Sequence, residues 1–159
     1  MNYSLRKHLL IEAAHSPARA FLEELVSLAD EYEEDYDTQI KIKHGQCQVV
    51  LTAEIPSEAD DPNYVHLGYL EVTDTAGDPD PACYRKGYAA DMMKLLASTA
   101  DKHGVNLGLS AEGVPQEQID SIYGVDLPDM QELANFYSRY GFKETDRNSQ
   151  QIYMQRFCR

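Results

Sequence analysis

CYRKGYAADMMKLLASTADKHG, residues 83–104, is the stretch whose reading decides the fold. Arg85-Lys86-Gly87 makes a basic turn. After it, Ala89, Met92, Leu95, Leu96, Thr99 and Ala100 recur at helical spacing. Gly104 stands where a left-handed helix stop is expected. Extended runs flank the stretch, residues 65–73 upstream and 105–110 downstream. A strand, a glycine turn opening a helix and a second strand suit a phosphate. The first amides of a helix have no internal partner, and its dipole favours an anion. A plain tight turn needs a glycine just as much, so the turn alone does not decide the ligand.

Working upstream, residues 38–43 alternate Ile40 and Ile42 with polar positions, His44-Gly45 turns, and residues 46–55 return, which predicts a hairpin. PSEADDPN is a polar loop before a third strand. Strict alternation there puts Val65, Leu67, Tyr69 and Glu71 on one face and His66, Leu70 and Val72 on the other. The loop DTAGDPDPA invites a calcium reading. Counted from Asp74, however, the sixth residue is Pro79 and the twelfth Arg85, where that loop needs Gly and Glu. Three strands, a helix and a strand predict an α/β domain with a mixed sheet.

Farther upstream, Leu5, Leu9, Leu10 and Ala13 fit a short helix over residues 3–14. Ser16-Pro17 reads as an N-cap with proline at the first helical position. The helix it opens is expected to run to Tyr36, with Phe21, Leu22, Leu25, Leu28, Ala29, Tyr32 and Tyr36 on its buried face. Glu23, Glu24, Asp30, Glu31, Glu33, Glu34, Asp35 and Asp37 then form an acidic face, either merely solvated or steering a cationic substrate.

The 159 residues suit one domain, with residues 1–37 as a helical N-terminal part and 38–159 as the core. The formal charge of −13 disfavours nucleic acid or an anionic membrane and suits a cationic partner, or plain solubility. Cys47, Cys83 and Cys158 are three in number, widely spaced, with no CxxC pair. They read as reduced thiols in a cytoplasmic compartment. No export signal or membrane span is expected, since no apolar run is long enough. Without HExxH, a Cys/His cluster or a Walker sequence, neither a metal nor nucleotide hydrolysis is expected.

Downstream, residues 111–130 form a long connection of the kind that serves as a lid, with one helical turn expected near residues 116–123. A helix is expected over 129–140, stopped by Gly141, then strands over 142–145 and 150–157. The segment LANFYSRYGF, residues 133–142, resembles the Tyr-x-x-x-Gly-Phe signature of the GNAT acyl-CoA N-acyltransferases. The turn Arg85-Lys86-Gly87-Tyr88-Ala89 resembles that family's pyrophosphate loop, and the element order matches from about residue 38 onward. Two positions depart from the pattern: Tyr84 stands where Arg or Gln is usual, and Met130 where the last helix often carries Asn.

The resemblance implies a single GNAT-like domain with a mainly antiparallel mixed sheet, and acetyl transfer from acetyl-CoA to a primary amine of a small molecule or of a protein lysine or N-terminus. It implies that Arg85, Lys86, Gly87, Tyr88 and Ala89 hold the pyrophosphate, and that the pantetheine arm lies where the strands ending near Thr73 and Ser110 splay apart. The N–H of Val72 would hold the thioester oxygen, and Tyr137 would donate a proton to the departing thiolate. Homodimers are common in that family. The attacking amine must be neutral, so a carboxylate base is needed. Glu71 is the first candidate, its apolar neighbours Leu70 and Val72 desolvating it, and Glu112 the second. The same residues have plainer readings: a strand glutamate paired with a lysine, a core tyrosine, and for Cys83 an idle thiol. A reading of another class is a catalytically degenerate GNAT fold whose acidic surface binds a basic protein.

Overall fold

The structure, a computed structural model, describes residues 16–35, 37–56, 61–112 and 128–159. The expected helix over 3–14 and the turn near 116–123 lie outside the described residues. Helix α1 spans Pro17–Leu28, with the Ser16 hydroxyl accepting from the Arg19 N–H at 3.1 Å and Pro17 in its first turn. It buries Phe21, Leu22 and Leu25 as expected, but it stops eight residues short of Tyr36. The chain instead enters strand β1, Glu31–Glu34. On a helix, Asp30 and Glu34, Glu31 and Asp35, and Glu33 and Asp37 would stand one turn apart as like charges, which destabilises it. As a strand, Glu31 lies opposite Lys41, and its carboxylate takes the Lys43 ammonium at 2.6 Å. The expected acidic helix face is thus divided: Glu23 and Glu24 stay on α1, and Glu31, Glu33 and Glu34 lie on an acidic edge strand.

Strands β2 (Thr38–His44) and β3 (Cys47–Glu54) form the expected hairpin. Strand β4 covers Tyr64–Asp74, helix α2 Tyr88–His103 and strand β5 Asn106–Ala111. Helix α3 spans Met130–Ser138, followed by β6 (Lys143–Arg147) and β7 (Ile152–Arg156). The sheet order is β1-β2-β3-β4-β5-β7-β6, antiparallel except for the β4–β5 pair. This is an α/β architecture with a mainly antiparallel mixed sheet flanked by helices, consistent with a GNAT-like fold.

One departure inside β4 matters for the site. Leu51 pairs with Leu70 and Ala53 with Leu67, so Thr52 faces two residues, Gly68 and Tyr69. Such a bulge slips the period by one. Leu70 and Val72 therefore share the helix-covered face with Val65, Leu67, Val49 and Leu51, whereas Tyr69 and Glu71 lie on the other. The strict alternation expected for this strand holds only up to Leu67.

The cysteines also depart from expectation. Cys47 and Cys83 are joined in a disulfide across 36 residues, and only Cys158 is a free, exposed thiol. The idle thiol expected at Cys83 is thus a crosslink. Among the described residues no helix is long and apolar enough to cross a membrane.

Helix α2 is held at its far end by Asp101. Its carboxylate accepts two hydrogen bonds from Arg156 of β7, both at 2.8 Å, and one from the Arg159 N–H at 2.9 Å. Arg156 also donates to the Tyr140 carbonyl at 2.8 Å. These bonds hold the Asp101 carboxyl below its ordinary pKa, the Arg156 contact contributing most. A depressed carboxylate contributes stability that is present above its unfolded pKa, near 3.9, and lost as pH falls through the folded value. Asp101→Asn should cost about 1–3 kcal/mol at pH 7, because buried Arg156 loses its counter-ion. Denaturant melts repeated from pH 7 down to pH 3 should show the gap to wild type closing as acid removes the advantage. A gap independent of pH would overturn the assignment.

Candidate functional site

Strands β4 and β5 pair only through Tyr64–Asn106, Val65–Leu107 and His66–Gly108, although both continue beyond. Past that point β5 keeps its other partner, β7, along its whole length. The two strands therefore open into a wedge toward their C-terminal ends. Leu67, Gly68, Tyr69 and Leu70 line one side and Leu109 and Ser110 the other, with Leu51, Met93 and Tyr137 closing it. The splay expected near Thr73 and Ser110 is where the pairing places it.

Backbone direction decides what the wedge offers. The Tyr69 N–H donates to the Thr52 hydroxyl on β3 at 2.9 Å, and the Thr75 N–H to the Gln46 carbonyl at 3.1 Å. Odd-numbered amides thus turn toward β3. The Asp74 N–H turns the other way, to the Asp78 carbonyl at 2.8 Å. Since successive N–H groups alternate along a strand, Leu70 and Val72 aim theirs at the edge that β5 has left. Buried or semi-buried amides of this kind need an acceptor. Leu70 lines the wedge directly, with Val72 two residues further along the same edge.

Helix α2 crosses back between two parallel strands, so it runs antiparallel to them and starts at the wedge's open end. Gly87 caps it at φ 82°, and Arg85 also has a left-handed φ of 57°. The first amides of a helix have no partner within the helix, and a turn at a helix start is a place where an anion is favoured. Arg85 and Lys86 are exposed there, and Tyr88 and Ala89 are partly covered. The first turn also carries Asp91, which is the one opposing charge on it.

Tyr137 is almost fully buried on α3, edge-on to Phe136 at 5.4 Å and tilted to Phe142 at 6.0 Å. Burial pushes its hydroxyl pKa up, so it keeps its proton through the physiological range. Glu71 is exposed on the face opposite Leu70 and Val72. The apolar pocket expected around it is therefore not there. Glu112 is exposed immediately after β5.

The bulge was the feature sequence reasoning missed, and Gly68 in a strand interior was the available signal. A Cβ on Gly68 would lie 2.2 Å from the Thr52 hydroxyl oxygen. The acidic strip also sits differently from expectation. β1 is three strands from β4, roughly 14 Å at ordinary strand spacing, beyond a screening length of about 8 Å at physiological salt. Glu31 is engaged by Lys43, Glu34 and Glu23 by Arg19, and Glu24 by Lys102 and His103. Steering by this strip is accordingly weak.

No family model and no curated protein matches the chain. Among solved structures it is similar to a protein of Pyrococcus horikoshii OT3, at 14% identity and a TM-score of 0.48, over 89% of this chain and 74% of that one. It is also similar to a Bacillus subtilis acetyltransferase in complex with CoA, at 10% identity and a TM-score of 0.40, over 86% and 93%.

The bulge can be tested by a double-mutant cycle. Gly68→Ala should destabilise by about 1–3 kcal/mol through overpacking, and Thr52→Ala by about 1 kcal/mol through the lost hydrogen bond. Because the second change removes the atom the first would strike, the double variant should cost less than the two together. Strict additivity in chemical denaturation would contradict the contact.

Proposed function

We propose that the chain is a GNAT-superfamily N-acyltransferase that moves an acetyl group from acetyl-CoA to a primary amine, on a small molecule or on a protein lysine or N-terminus. The observation that carries this is the wedge. Leu70 of β4 and the buried Tyr137 both line it, Val72 follows on the same strand edge, and the glycine-capped start of α2 lies toward its open end. In this proposal the pyrophosphate lies on the amides of residues 85–89, with Arg85 and Lys86 supplying local positive charge. The pantetheine arm runs down the wedge, and the thioester oxygen accepts from Leu70 or Val72 N–H as charge develops on it.

Tyr137 closes the wedge from the helix face and Glu71 lies on the other, which supports opposite duties for the two. A neutral amine attacks the thioester carbon, and the C–S bond breaks as the C–N bond is completed. Tyr137 Oη gives its proton to the departing thiolate and regains one from solvent. Glu71 takes the amine's proton, directly or through water, with Glu112 the second candidate. The acetyl donor supplies only the activated carbonyl; positioning and both proton transfers belong to the chain. The non-catalytic alternative, an acidic face binding a basic protein, has less beneath it, since Glu23, Glu24, Glu31 and Glu34 already have cationic partners.

Acetyl-CoA at a hundred times its Kd should raise stability by about 2.7 kcal/mol, and absence of any thermal shift would sink the proposal. Gly87→Glu should abolish most of that shift by placing a side chain and a negative charge at the anion site. Tyr137→Phe should lower kcat about 100-fold while acetyl-CoA affinity stays within a few-fold. Glu71→Gln should move the acidic limb of the rate profile; an unmoved limb would pass the base role to Glu112 or solvent.

A further inference from the structure

We propose that the β2–β3 turn is a clamp on the anion loop, closed by the Cys47–Cys83 disulfide and the His44–Tyr88 stack, so that affinity for a phosphate-bearing acyl carrier follows the thiol–disulfide state of this cysteine pair. The proposal rests on residues 85–89 being the phosphate site. His44 and Cys47 are register partners at the closed end of the hairpin. From that end, Cys47 bonds to Cys83, two residues before Arg85. His44 stacks on Tyr88, one residue after Gly87, with ring centroids 4.3 Å apart and planes 14° from parallel. Between them the Gln46 carbonyl takes the Thr75 N–H, at the start of the same connection.

The loop is thus held at both flanks while its middle, residues 85–87, is exposed. That middle contains Arg85 at φ 57°, a conformation that non-glycine residues adopt reluctantly. Released from one flank, the loop would spend only part of its time in the binding shape, and apparent affinity falls by that fraction. Neither cysteine lines the wedge, so the pair acts through the loop and not on the reacting atoms. Opening the clamp needs a dithiol reductant. One of its thiolates attacks a cysteine sulfur and breaks the S–S bond, and the second displaces the mixed disulfide. Two electrons and two protons pass to the protein, leaving two cysteine thiols and an oxidised dithiol.

The test titrates oxidised and dithiothreitol-reduced protein with desulfo-coenzyme A, which has no thiol to exchange, and with S-methylpantetheine, which has no phosphate. Thiol counting in denaturant assigns the states, Cys158 alone against all three cysteines. Reduction should weaken desulfo-coenzyme A about ten-fold, leave S-methylpantetheine within two-fold, and be reversed on reoxidation. Cys83→Ala should behave like the reduced protein with or without dithiothreitol; if that variant does not fold, the reduced wild type carries the test. Equal desulfo-coenzyme A affinity in both states, with circular dichroism showing both folded, overturns the clamp alone. Equal loss for both ligands also overturns it, since the disulfide would then be supporting the fold in general. No binding of desulfo-coenzyme A by the oxidised protein removes the phosphate site itself, and the clamp with it.

Discussion

Backbone hydrogen bonding between β4 and β5 ends at His66 and Gly108, and the rest of the molecule is arranged around that ending. β5 turns to β7, and β4 turns to β3, where the bulge lets the Thr52 hydroxyl take the Tyr69 amide. Gly68 permits that approach because it has no Cβ. What remains is a strand edge with amides directed at no strand, inside a wedge floored by Leu51, Leu67 and Leu109. An edge of this kind attracts an extended ligand with carbonyl acceptors, in the same way that sheet edges attract strands.

Helix α2 gives the wedge its mouth, and its position is fixed from both ends. At the C-terminus Gly104 ends the helix in the left-handed region, and Asp101 is tied to Arg156 on β7. Along its length Met92, Met93, Leu96 and Ala100 are buried against the sheet and α1. At the N-terminus the β2–β3 turn reaches the loop through a covalent bond and a ring stack. A helix start serves as an anion site only if its amides stay where the ligand needs them, so this fixation and the chemistry are one requirement.

Electrostatics work on two scales here. The chain as a whole carries −13, yet Arg85 and Lys86 sit together at the helix start. The acidic strip lies on edge strand β1 and is partly neutralised by Lys41, Lys43 and Arg19. Glu31, the β1 carboxylate nearest the β2–β3 turn, is tied to Lys43 and Lys41, so it offsets the two local cations less than the net charge implies. Net charge therefore says more about solubility than about the ligand.

Residue spacing was enough to read the hairpin, β4, α2, β5, α3 and the closing strands, because each carries a local signal: alternation, 3.6-residue periodicity, or a glycine or proline at an end. The basic glycine turn at residues 85–87 could be singled out for the same reason, whereas Tyr137 was marked only by resemblance to a family signature. Three features needed the tertiary structure. The end of α1 depended on lysines of β2 that a helical continuation would never meet. The facing of Glu71 depended on a bulge created by a neighbouring strand's threonine. The Cys47–Cys83 bond joins residues 36 apart, brought together only when β3 and the loop after β4 pack side by side. Local periodicity reports what a segment does alone, whereas these three are set by contacts between segments, which exist only once the chain has folded.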